Sequence, residues 1–117
     1  MNPWGYQNYL DSVHCDMKTG LDEMGFTPFQ SFGYAHNELT ARLEEYPSEN
    51  PLALIGLAIC LAEYESLDEL ESDSGFLLEV RENIDDQAIA KAVAHLDMKD
   101  RELFMTDLKK VKSLLNW

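Results

Sequence analysis

The sequence predicts an all-α fold: one domain over residues 1–117, built as a bundle of five or six helices. Three observations lead there. Apolar residues recur at the three- and four-residue intervals of a helix through most of the chain. Two cap-then-proline pairs, Thr27-Pro28 and Asn50-Pro51, stand where apolar stripes begin. The length of 117 residues, 45% of them apolar, supports one hydrophobic core and leaves no room for a second.

The first helix carries Tyr6, Leu10, Val13 and Met17 at i, i+4, i+7 and i+11, one face of a helix, and Gly20 with Gly25 is expected to end it in a short turn. Thr27-Pro28-Phe29-Gln30 opens the second: Thr caps, Pro takes the first helical position, and Gln returns the capping hydrogen bond. Its stripe is Phe29, Phe32, His36, Leu39, Leu43 and Tyr46, and Pro47 stops it. Gly33 costs about 1 kcal/mol against Ala, so a loop or short strand is the alternative for the first turn.

Asn50-Pro51 repeats the starting device. Leu52 to Ala62 is apolar nearly all round, as a central helix packed on most sides requires. Beyond Ala62 the same helix, or one restarted by a Ser66-x-x-Glu69 box, continues with Leu67 and Leu70 as a thin apolar edge, and Ser72 to Gly75 reads as a turn. Phe76 to Val80 is too short for its period to separate strand from helix. We read it as helix, with an α+β arrangement containing a short strand as the alternative. Asp85 or Asp86 caps a helix striped by Ala88, Ile89, Ala92, Val93 and Leu96, and Asp100 is expected to cap the last. There Phe104, Leu108, Val111 and Leu115 share a face, and Lys109, Lys110 and Lys112 complement the negative end of the helix dipole.

The longest apolar run, Leu52 to Ala62, falls short of the roughly 18 residues of a membrane helix. Met1 to Gly5 has neither the basic start nor the apolar stretch of a secretory signal, so the expected compartment is the cytoplasm. Cys15 and Cys60, neither in a CxxC pair, are expected as free, mostly buried thiols. His14-Cys15-Asp16 looks chemical, but adjacent helical positions point in different directions and cannot close on one ion. His36 and His95 read as structural histidines on helices. No GxSxG, P-loop, HExxH, GxGxxG or EF-hand loop is present. The expectation is therefore no catalytic residue, no metal and no cofactor.

Charge is the unusual quantity: 22 acidic against 9 basic residues, a formal net of −13. Such a chain repels nucleic acid and anionic membranes and attracts basic partners. Residues 63–86 hold ten acids and one base, while residues 87–117 hold four acids and six bases. The ten acids are Glu63, Glu65, Asp68, Glu69, Glu71, Asp73, Glu79, Glu82, Asp85 and Asp86. A solvated, solubilising face is the plain reading of such a segment. Clustering argues for more, because like charges at i, i+4 cost a helix about 0.2–0.5 kcal/mol per pair and solubility alone is usually met by mixed signs. Residues four apart on a helix are about 6 Å apart along its axis. DNA spaces phosphates by about 3.4 Å on each strand. Clustered helical carboxylates therefore approach backbone charge density.

On size, net charge and those ten acids, the chain resembles the small acidic DNA-mimic proteins of bacteria and phage, including the kind that bind the histone-like HU protein. It is also similar in size and charge to immunity proteins that neutralise nuclease toxins. The resemblance implies a non-enzymatic protein whose acidic face occupies the cationic groove of a basic nucleic-acid-binding protein and keeps DNA out, with Leu67, Leu70 and Phe76 supplying dry contact. An immunity protein for one nuclease toxin and a helical protein-interaction adaptor are the alternatives.

Overall fold

The computed structural model describes residues 4–64 and 74–114. Among them are six α-helices and one 3₁₀ turn, and no strand: α1 (Tyr6–Asp22), α2 (Pro28–Glu45), the 3₁₀ turn (Pro47–Glu49), α3 (Asn50–Tyr64), α4 (Ser74–Asn83), α5 (Asp86–Val93) and α6 (Met98–Leu114). The fold is the expected all-α bundle. Its radius of gyration, 13.5 Å, is that of a compact chain of this length.

The central position of α3 follows from its composition. Leu52, Leu54, Ile55, Leu57 and Leu61 are buried all round it because α1, α2, α4, α5 and α6 each pack against it. Each such side chain contributes about 1.5–3 kcal/mol on leaving water. From α1, Tyr6, Leu10, Val13 and Met17 are buried as the spacing requires, and Tyr9 joins them. Phe104, Leu108 and Val111 of α6 close the other side; Leu115 lies outside the described residues. No helix among the described residues is long and apolar enough to cross a membrane.

The second start signal is built as read. The Thr27 hydroxyl accepts from the Gln30 backbone N–H at 3.2 Å, and Gln30 Oε1 accepts from the Thr27 N–H at 3.0 Å. Other local readings change. Helix α1 runs past Gly20, which serves packing: a Cβ there would lie 2.5 Å from Ser31 Oγ and 3.1 Å from Ser31 Cα, so α1 and α2 cross closely at this point. The turn comes at Gly25, at φ 67°, where the Phe26 N–H returns to the Gly20 carbonyl at 2.8 Å. Asn50 is already helical and continues the 3₁₀ turn into α3, so it is not a separate cap. Ser74 and Gly75 belong to α4 rather than to a turn, and Phe76 to Val80 is helical, which removes the strand alternative. Asp97, not Asp100, caps α6 by accepting from the Asp100 N–H at 2.8 Å. Asp100 instead reaches α1, where its Oδ1 accepts from the Gln7 N–H at 3.1 Å. That contact sets a carboxylate at the positive end of α1.

Candidate interaction surface

Of the ten sequence-selected acids, Glu63, Glu79, Glu82, Asp85 and Asp86 fall within the described residues, while Glu65, Asp68, Glu69, Glu71 and Asp73 lie outside them, as do Leu67 and Leu70. Glu63 is exposed in the last turn of α3. Glu79 is half-buried and Glu82 exposed on α4, which packs on α3. Asp85 and Asp86 are exposed at the start of α5. Asp85 has a local duty as well: its Oδ1 accepts from the Ala88 N–H at 2.7 Å, capping α5. It also lines a cavity of about 460 Å³ between the α4–α5 connection and the 3₁₀ turn, together with Asn50, Asn83, Gln87 and Lys91.

Folding also brings together acids that the linear sequence disperses. α1 and α2 pack side by side, and across them half-buried Asp16 meets exposed Glu38, with Glu23 also near Tyr34. The electrostatics register the crowding. Partial burial and then the Glu38 carboxylate raise the pKa of Asp16. Glu38 first, then slight burial and Asp16, raise that of Tyr34. The sequence signal was available, since residues 1–62 carry eight acids against two bases, but their spacing over two helices conceals the meeting of Asp16 with Glu38.

Among the described residues, two carboxylates are withdrawn from the surface. Glu49, 1% exposed, sits among four segments of the chain. Its Oε1 accepts from the Tyr9 hydroxyl at 2.5 Å and lies 3.4 Å from Arg42 Nε. Its Oε2 accepts from the Trp4 N–H at 3.1 Å and lies 3.9 Å from His95 Nε2. The Arg42 guanidinium lies 4.1 Å from the Trp4 ring centroid and 4.5 Å from that of Tyr46, in cation–π contact with both. His95 Nε2 is 2.9 Å from the Trp4 carbonyl; a carbonyl only accepts, so this contact assigns the proton to Nε2. His95 lies in the connection after α5, past the end of the helix that was expected to carry it. The second withdrawn acid, Asp107, accepts from the Tyr6 hydroxyl at 2.6 Å within the core. Neither Glu49 nor Asp107 lines the cavity beside Asp85, and both are satisfied by the protein's own donors.

His36 stacks on Phe32, with ring centroids 6.1 Å apart. Among the described residues no group of three or more His, Cys, Asp or Glu side chains is placed to hold a metal ion. The thiols divide against expectation: Cys60 is buried in α3, whereas Cys15 points outward from α1 and is exposed. Comparison with protein-family models, with curated proteins and with solved structures returned no match.

The buried thiol and phenols set a pH limit. Burial foremost, then the nearby carboxylates of Glu63 and Asp107, pushes the Cys60 thiol up to about 12. Burial and then the Asp107 hydrogen bond raise the Tyr6 phenol well above 10.0, and burial and then the Glu49 hydrogen bond do the same for Tyr9. In each case the folded state holds its proton more tightly than the unfolded state. The stability these groups contribute is therefore fully present below the ordinary values of 9.0 for Cys60 and 10.0 for the tyrosines, and is lost as pH rises above them. Alkaline titration should show Tyr6 and Tyr9 forming phenolate only together with loss of helical circular dichroism. Phenolate formation by both at full helicity would contradict this.

Proposed function

We propose that this protein is a non-enzymatic DNA mimic. Its acidic surface binds a basic nucleic-acid-binding protein, such as a histone-like protein, and competes with DNA for it. The observation that carries the reading is the division of the carboxylates. Glu49 and Asp107 are consumed by internal hydrogen bonds, while Glu63, Glu82, Asp85 and Asp86 face solvent in the most acidic stretch of the chain. Exposed clustered carboxylates raise the local concentration of a cationic partner and speed its capture, with an effect that fades as salt shortens the Debye length from about 10 Å at 0.1 M to about 3 Å at 1 M. The exposed acids of α1 and α2 widen the negative field. The free thiols Cys15 and Cys60 suit the reducing cytoplasm, where such partners and their DNA meet.

The test reverses charge while leaving the internal hydrogen bonds and the Asp85 cap intact. Immobilised Glu65, Asp68, Glu69 and Glu82→Lys protein should lose the low-salt capture of a histone-like protein that wild type shows, at unchanged helix content. Equal capture by both proteins would refute the proposal. A nuclease toxin used as a second bait separates a dedicated immunity protein from a general mimic, because only the former captures the toxin and leaves the histone-like protein unbound.

A further inference from the structure

In an acidic protein α6 is the exception, carrying Lys99, Arg101, Lys109, Lys110 and Lys112. Its outward face has a regular seam: Met98, Glu102, Met105, Lys109 and Lys112 follow one another at intervals of four, three, four and three residues, the spacing of helices that pair along one side. Met98, 78% exposed, and Met105, 44% exposed, are two of the three large apolar side chains left in solvent among the described residues. Glu102 and Lys109 are exposed beside them, and a shallow cavity of about 590 Å³ runs along the same stretch, lined by Glu102, Met105, Thr106, Leu108, Lys109 and Lys112.

We infer that this seam is a twofold contact between two copies of the chain. The pattern is complementary to itself. An antiparallel pairing centred on Met105 sets each Met105 against its counterpart and each Met98 against the aliphatic stem of the second copy's Lys112. Each Glu102 then opposes the second copy's Lys109. A twofold axis makes every one of these contacts twice, and isologous twofold pairs are the commonest closed assemblies of soluble proteins. The inference rests on the seam of α6 alone, so it goes beyond the proposed function and does not depend on it. The contact is small: a 17-residue helix is about 25 Å long, which places the pair at the weak end of specific interfaces.

Sedimentation velocity of the full chain at near-physiological salt tests the pairing. A reversible monomer–dimer equilibrium is expected within the micromolar-to-millimolar concentration range. Lys109→Glu turns both Glu102 contacts repulsive and should raise the dissociation constant at least about a hundredfold. Met105→Lys should do likewise by placing two charges at the axis. Glu102→Lys combined with Lys109→Glu restores the opposite-sign pairs and should restore the dimer. All three variants should keep the wild-type helical spectrum, since the substituted side chains point outward. A chain that stays monomeric at millimolar concentration overturns the inference, even if the seam then binds some other acidic helix. So does a dimer that Lys109→Glu and Met105→Lys leave unchanged.

Discussion

Glu49→Leu is expected to destabilise the fold by about 3–5 kcal/mol, the usual cost of removing one partner from a buried charged network. The substitution deletes one carboxylate that three groups share. Arg42, its side chain only 10% exposed, loses the anion 3.4 Å from its Nε. The buried Tyr9 hydroxyl and the part-buried Trp4 N–H lose their acceptor. These groups come from the N-terminal segment, α1, α2 and the 3₁₀ turn, so the loss should loosen several junctions together. Glu49→Gln keeps the shape and one carbonyl acceptor for Tyr9 or Trp4, and it should cost distinctly less. Urea denaturation measures both, with the midpoint shifting at a nearly constant slope if only stability changes. Equal small losses for Leu and Gln would mean that the carboxylate is not what holds these segments together.

The second large effect lies at the Tyr6–Asp107 hydrogen bond. Tyr6→Phe preserves the ring, which packs edge-on against Phe104 with centroids 5.2 Å apart, and removes only the donor. It should cost about 1–3 kcal/mol, because Asp107, 6% exposed, keeps its carboxylate and loses the hydroxyl 2.6 Å away. Asp107→Leu should also destabilise by leaving the phenol without an acceptor. Combining the two removes both polar groups, and the double variant should be more stable than the sum of the single changes implies, with a coupling of about 0.5–3 kcal/mol. Additive single and double effects, read from a denaturation cycle, would show that the hydrogen bond contributes nothing specific.

The local parts of this fold were legible because their causes are local. The Thr27–Gln30 capping box, the Asp85 cap and the stripes of α1, α3 and α6 each rest on residues within one or two turns of one another. The errors have long-range causes. Gly20 looked like a helix end because glycine commonly is one; it lies inside α1 because Ser31 of α2 crosses against it. Asp100 looked like a cap, but the carboxylate three residues earlier took that place and freed Asp100 for α1. Cys15 is the local exception: it is exposed because it falls off the stripe through Leu10, Val13 and Met17.

The least legible feature is Glu49, whose partners stand at positions 4, 9, 42 and 95 and meet only in the folded chain. Asp107 left a fainter mark, a carboxylate set between Phe104 and Val111 on the buried face of α6. Among the surface acids, the sequence pointed to a contiguous stretch. The fold adds the approach of Asp16 and Glu38 across α1 and α2, 22 positions apart in the chain.

The central claim is that this acidic surface takes the place of DNA on a basic protein. The direct measurement is displacement: a labelled DNA duplex bound to a histone-like protein, titrated with the full chain at low salt and followed by fluorescence anisotropy. The account predicts release of the duplex as the chain is added, with the displacing power falling steeply as salt rises. A duplex that stays bound under a large excess of the chain at low salt would contradict it.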